Sequence, residues 1–229
     1  MKVIGIVGGI SWVSTIDYYR AINTGVNERL GENNAAELIL YSVNYNDIIR
    51  NNSSGNLEAT YKMMLDASTH LKNSGAKAIV LAANTMHLFA ERIEEAISLP
   101  VIHIAKATAK EIEIKGLKKV GLLGTKFTME MDFFKDKLKE SGIETIIPGE
   151  DDREFIHKTI FEELGKGILK PETKARYLTI IEELHNSGVE GVILGCTEIP
   201  LLVKQNDSQT PLFDTTLIHS KAAVDYILN

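Results

Sequence analysis

Three segments in the first half of this 229-residue chain are echoed in the second, and that repetition limits the fold more than any single motif does. IGIVGG (4–9) is echoed by VGLLGT (120–125) at an offset of 116. AKAIVLAANTMH (76–87) is echoed by VEGVILGCTEIP (189–200) at an offset of 113. LPVIHIAKATA (99–109) is echoed by TPLFDTTLIHS (210–220) at an offset of 111. Similar offsets in unchanged order predict a duplicated unit. Most of these segments open as a short apolar run of the kind a parallel sheet buries on both faces, and then break into a turn.

Strand-like and helix-like segments alternate along the chain, which predicts an α/β architecture. Strands are expected near 3–7, 37–43, 76–81, 101–104, 119–124, 145–147, 189–194 and 211–213, with helical patterns between them. The polar run 51–55 reads as a loop. The duplication then predicts two pseudo-symmetric domains, each a four-stranded, mainly parallel sheet flanked by helices. Residues 1–105 with 207–229 are expected to form the first, and 106–206 the second. The closing helix, 216–228, is expected to pack back on the first domain as a last βα unit that completes its sheet.

Charge and cysteine usage narrow the partners. The formal charge of −6 argues against nucleic acid or an anionic membrane as a general partner. No run of about 18 apolar residues predicts a membrane span. The residues at the start show no signal-peptide pattern, and one cysteine makes no internal disulfide, so a cytoplasmic setting is expected. The six histidines have no zinc spacing, and no metal is expected.

The single thiol, Cys196, stands at the carboxyl end of an expected strand, and open α/β sheets bind ligands outside those ends. Gly8-Gly9-Ile10-Ser11 is a turn built for close approach. It is neither G-x-G-x-x-G nor a Walker A loop, which excludes a nucleotide site there. Superposing the halves puts Ala83 in the place of Cys196, Asn84 in that of Thr197, and Thr85 in that of Glu198. A pseudo-twofold site with one reactive group per half suits a reaction that takes a proton from one face of a carbon and returns it on the other. In this sequence one half carries a thiol and the other an alanine methyl.

Gly8-Gly9-Ile10-Ser11, Ala83-Asn84-Thr85-Met86-His87 and Gly195-Cys196-Thr197-Glu198-Ile199-Pro200, in that order, resemble the motifs of the aspartate/glutamate racemase family. The resemblance covers essentially the whole chain. It implies a cofactor-independent amino-acid racemase that takes aspartate or glutamate as substrate and works as a homodimer. It implies Cys196 as the acid/base group, with Ala83 at the position of the missing second thiol. A decarboxylating branch of the wider superfamily works with one cysteine, so a one-thiol decarboxylase or isomerase is an alternative. A dicarboxylate-binding protein without turnover is another.

On this reading Asn84, Thr85 and Thr197 hold the α-carboxylate, Thr125 and Thr128 extend that wall, and Ser11 contacts the substrate. Asn, Ser and Thr at these places are equally good helix caps. Glu198 orients the thiol proton or binds the substrate ammonium, and His87 is a possible proton relay. The family's basic residues for a distal carboxylate fall near Ile48 and Gly165, with Arg50, Lys126 and Lys166 as nearby substitutes. A helix start after Cys196 predicts a thiol pKa lowered from its usual value of about 8.5.

Overall fold

The computed structural model describes all residues, 1–229, and divides into two units. The first comprises Met1–His103 with His219–Asn229, and the second Ile104–Ile218.

In the first unit the chain runs β1 (Ile4–Gly8), α1 (Trp12–Leu30), β2 (Leu38–Ser42), α2 (Tyr45–Ser53), α3 (Leu57–Asn73), β3 (Ala78–Leu81), a 3₁₀ helix (Asn84–Phe89) and α4 (Ala90–Ile97). The strands form a parallel sheet in the order β2-β1-β3. Side chains alternate across it, as strand geometry requires. Ile4, Ile6, Ala78 and Val80 join Tyr18, Ile22 and Val26 of α1 on one face. Val7, Ile79 and Leu81 join Met64 and Leu71 of α3 on the other. The polar run expected as a loop is helical as far as Ser53. Asn44 caps α2 by accepting a bond from the Asn46 amide, and Gly55, at φ +72°, lies beyond its end.

The second unit contains α5 (Ile104–Ile114), β4 (Lys119–Gly124), α6 (Lys126–Glu130), α7 (Asp132–Glu140), β5 (Glu144–Ile146), α8 (Glu150–Glu162), a 3₁₀ turn (Leu164–Lys166), α9 (Pro171–Asn186), β6 (Gly191–Gly195), α10 (Ile199–Leu202), a 3₁₀ turn (Gln205–Asp207) and β7 (Leu212–Asp214). Its sheet is parallel, in the order β5-β4-β6-β7. Val120, Leu122 and Ile193 pack with α5 and α7, and Leu123, Val192 and Leu194 with α8 and α9. The last helix, α11 (Thr215–Leu228), begins in this unit and belongs to the first from His219 onward.

The sequence offsets return as strand register. Ile4 pairs with Ala78 in the first sheet, and shifting these by 116 and 113 gives Val120 and Gly191, which pair in the second. The bridge Ile79–Val101, shifted by 113 and 111, becomes the pair Val192–Leu212. Ala83 and Cys196 therefore stand at the same place in their respective units, one pleat beyond Leu81 and Leu194.

Two expectations need correction. The first sheet has three strands, and its fourth is reduced to the bridge at Val101. Pro100 offers a carbonyl to Ile79 but no N–H to extend the ladder, and α5 begins at Ile104. The domain boundary also lies later than 206/207. Strand β7 hydrogen-bonds to β6, which keeps residues up to Ile218 in the second unit. Only the helix returns as expected: Ala223, Val224 and Ile227 pack with Ile4, Ile6 and Tyr18.

Candidate active site

In the second unit, Gly124 and Gly195 are paired neighbours, so the turns that follow β4 and β6 leave the sheet side by side. A Cβ on Gly195 would meet the Leu123 carbonyl at 2.8 Å, and one on Gly124 the Gly195 carbonyl at 2.9 Å. Glycine at both places lets the strands reach their ends without steric conflict. The hydroxyl of Thr215 donates to the Leu194 carbonyl at 2.9 Å, pinning β6 one residue before its end.

Cys196 is 8% exposed. It continues the Val192–Leu194 face and packs among Ile156, Tyr177 and Ile199. Its Sγ donates to Glu198 Oε2 at 3.0 Å, and the Thr197 hydroxyl donates to the same oxygen at 2.7 Å. Burial pushes the thiol pKa well up, and the Glu198 carboxylate pushes it the same way, by charge and by accepting the thiol proton. The amides of Glu198 and Thr197 pull against this without prevailing. The expectation of a lowered thiol is thus reversed: the acidic neighbour and the apolar setting outweigh the backbone amides. Beneath the thiol, the Tyr177 hydroxyl contacts Thr159 Oγ1 at 3.1 Å, and burial raises its pKa as well.

Thr125 caps α6, its hydroxyl accepting the Thr128 amide at 3.3 Å. Thr128 is 0% exposed, and its methyl fills the space left by Gly124 and Gly195. Its hydroxyl lies 3.2 Å from that of Thr125, so it packs behind the turn that Thr125 caps. Of the suggested cations, Lys126 is paired with Glu154 and Arg50 with Asp47. Lys166 is exposed, in the 3₁₀ turn that packs on α10.

In the first unit, Gly9 takes φ +90° and its amide donates to Thr15 Oγ1 at 2.8 Å. The Ile10–Ser11 peptide is cis. Ser11 occupies the N-cap of α1, but its side chain makes no capping bond there; its carbonyl receives the hydroxyls of Ser14 and Thr15 instead. The Ala82 amide bonds to the Val7 carbonyl, which sets the Ala83 turn beside the glycine turn at the same sheet edge. Ala83 is 7% exposed and extended, and Asn84 and Thr85 open the 3₁₀ helix.

Sequence reasoning treated His87 alone and missed its neighbours. His87, His103 and His219 form one buried group in the first unit, with ring centroids 4.8 Å (His87–His103) and 5.2 Å (His87–His219) apart. No signal in the sequence joins positions so far apart. The group offers no metal site, and no cluster of His, Cys, Asp or Glu in the chain has metal-binding geometry.

Comparison with known proteins defines the class. The Asp/Glu/hydantoin racemase family profile matches residues 7–223, and the chain belongs to that family. It is 29% identical over 175 residues to a broad-specificity amino-acid racemase of Bacillus subtilis (strain 168), covering 73% of this chain and 72% of that protein. Among solved structures, a Yersinia pestis protein described as an Asp/Glu racemase is 45% identical with a TM-score of 0.94, and both chains are covered fully. An aspartate racemase homologue of Pyrococcus horikoshii OT3 is 37% identical with a TM-score of 0.86, again over the full length of both. No helix of the chain is long and apolar enough to cross a membrane.

Proposed function

We propose that this protein is a cofactor-independent racemase of aspartate or glutamate, with Cys196 as its acid/base group and Glu198 as the proton partner of that thiol. The observation that carries the reading is the Cys196–Glu198 contact at the carboxyl end of β6. Racemisation needs the α-proton removed and a proton returned to the other face; Cys196 serves one face, and water or a neighbour such as Thr85 exchanges the proton on the other. A thiol with a raised pKa is a proton donor at neutral pH. To act as a base it must first give its proton away, and Glu198 Oε2 is already placed to take it. Asn84, Thr85 and Thr197 supply amide, hydroxyl and backbone donors for the α-carboxylate. Lys166, which extends from the exposed turn packed on α10, is the cation we assign to the distal carboxylate. The protein is taken to act as a cytoplasmic homodimer, which light scattering at micromolar concentration tests.

The deciding experiment incubates D- and L-aspartate and D- and L-glutamate separately in deuterated water, following the α-proton by NMR and the optical rotation. Exchange that falls by about two to four orders of magnitude in Cys196→Ser supports the reading. If none of the four amino acids exchanges, the racemase assignment is wrong for these substrates.

A second reading is favoured by the combination of a protonated thiol with the methyl of Ala83 at the equivalent place. Decarboxylation of a malonate-like acid generates its own carbanion, which one acid then protonates. Carbon dioxide release from substituted malonates, dependent on Cys196, would move the assignment to a lyase.

A further inference from the structure

The Leu81 carbonyl, the last in β3, accepts two donors. The Ala83 amide reaches it at 2.8 Å, bending the chain sharply at Ala82, and His87 Nε2 reaches it at 3.2 Å from the following 3₁₀ helix. A carbonyl only accepts, so His87 carries its proton on Nε2. The Met86 amide then closes on the Ala83 carbonyl at 3.2 Å. The backbone path through Ala83, Asn84 and Thr85 is therefore held from below by one imidazole.

That imidazole is itself braced. His219 donates from Nε2 to the Ile102 carbonyl at 2.6 Å, which leaves Nδ1 to accept the Tyr18 hydroxyl at 2.9 Å. Both bonds fix the His219 ring, and its edge meets the His87 ring. His103 lies against His87 as well. Helices α1 and α11, the segment after Val101 and the 3₁₀ helix thus converge on one neutral ring. Burial and the two neighbouring imidazoles all hold the His87 pKa down.

We propose that His87 is a positioning residue, whose bond to the Leu81 carbonyl sets the conformation of the Ala83–Asn84–Thr85 turn for the substrate's α-carboxylate. The ring is buried, and its Nε2–H is committed to the backbone, so its work is done through the turn and not by transferring protons to the substrate. The role rests on the racemase reading for its ligand but not for its geometry, and the two are separated by the test.

The variants are His87→Gln, whose side-chain amide keeps a donor near Nε2, and His87→Leu, which keeps volume and loses the donor. In the ligand-free protein, amide exchange at Ala83 and Met86 should rise about tenfold in His87→Leu, the order expected for one buried hydrogen bond. Exchange at Ile6 and Val80 should stay as in the wild type, and His87→Gln should stay near wild type throughout. Equal exchange at Ala83 and Met86 in all three proteins, or a rise shared by every core amide of His87→Leu, would overturn the proposal. With the four amino acids as probes, KM or Kd should rise about tenfold in His87→Leu and be restored by Gln, with kcat much less affected. A wild type that neither binds nor turns over any of the four removes the racemase reading, while the exchange measurement still decides the role of His87.

Discussion

Cys196 Sγ and Glu198 Oε2 lie 3.0 Å apart, with the thiol donating, so the one thiol of the chain is held in its protonated form by a carboxylate two residues further on. The arrangement opposes the usual device for an activated thiol, a positive neighbour. It suits a group that must give a proton first and be re-primed afterwards. Glu198→Gln removes the negative charge and leaves only a neutral, weaker acceptor oxygen while nearly preserving shape. The thiol pKa should fall, read as faster alkylation by iodoacetamide at pH 8, and α-proton exchange should drop by about 10²-fold or more. Slower alkylation would show that the carboxylate does not hold the thiol up.

The acid side of the stability profile belongs to the buried histidines. His219 is lowered from 6.5 to about 4, chiefly by burial, and His87 is also lowered. A base whose folded pKa is depressed adds stability that is fully present above the unfolded value, and loses it as pH falls through the folded one. Urea midpoints should therefore hold above about pH 6.5 and fall steadily toward pH 4, with His219 alone accounting for about 3 kcal/mol. On the alkaline side the sign reverses for Cys196. Its raised pKa means stability is intact below the unfolded thiol's value and declines as pH rises above it. A His219 ring proton that titrates near 6.5 by NMR would contradict the acid-side account.

Much of this was legible in the sequence, for identifiable reasons. Parallel strands buried on both faces keep apolar runs that survive as pattern, so the duplication was visible, and its offsets reappear as register at Ile4–Ala78 and Val120–Gly191. Cys196, Thr197 and Glu198 are contiguous, so their association needed no fold. The histidine group was not legible, because His87, His103 and His219 meet only once sheet and helix have packed. Nor was the partner of a three-residue strand: Leu212–Asp214 gives no local clue to which sheet edge it joins. The thiol's raised pKa was missed because it depends on burial and on the direction of a side chain.

Gly9 is a place where backbone geometry, and not chemistry, dictates the residue. Its φ is +90°, and a Cβ there would lie 2.2 Å from the Val43 carbonyl oxygen. Gly9→Ala should cost about 2–5 kcal/mol, the sum of left-handed strain and overpacking. A fall in Tm of about 10 °C in calorimetry is the corresponding reading. An unchanged Tm would mean that the turn after β1 relaxes freely.

Ala83→Cys tests the functional meaning of the duplication. Ala83 continues the Ile79–Leu81 face as Cys196 continues the Val192–Leu194 face, so the register makes them equivalent positions. The backbone at Ala83 is extended, at φ −157° and ψ 134°, which any residue adopts without strain. If the racemase reading holds, a second thiol supplies the acid/base group that the first unit lacks. Exchange should become faster, and the rates from the two enantiomers more nearly equal. The side chain grows by one sulfur atom at a position already packed with Ile10 and Met86, so the stability cost should be at most about 1–3 kcal/mol. Unequal rates from the two enantiomers in the wild type would report which face Cys196 serves, since one thiol protonates one face. Acceleration confined to the enantiomer that the wild type already exchanges faster would mean that the new thiol serves the same face as Cys196. Loss of stability with no change in exchange would separate the structural repeat from the chemistry and leave the one-thiol lyase as the better account of the site.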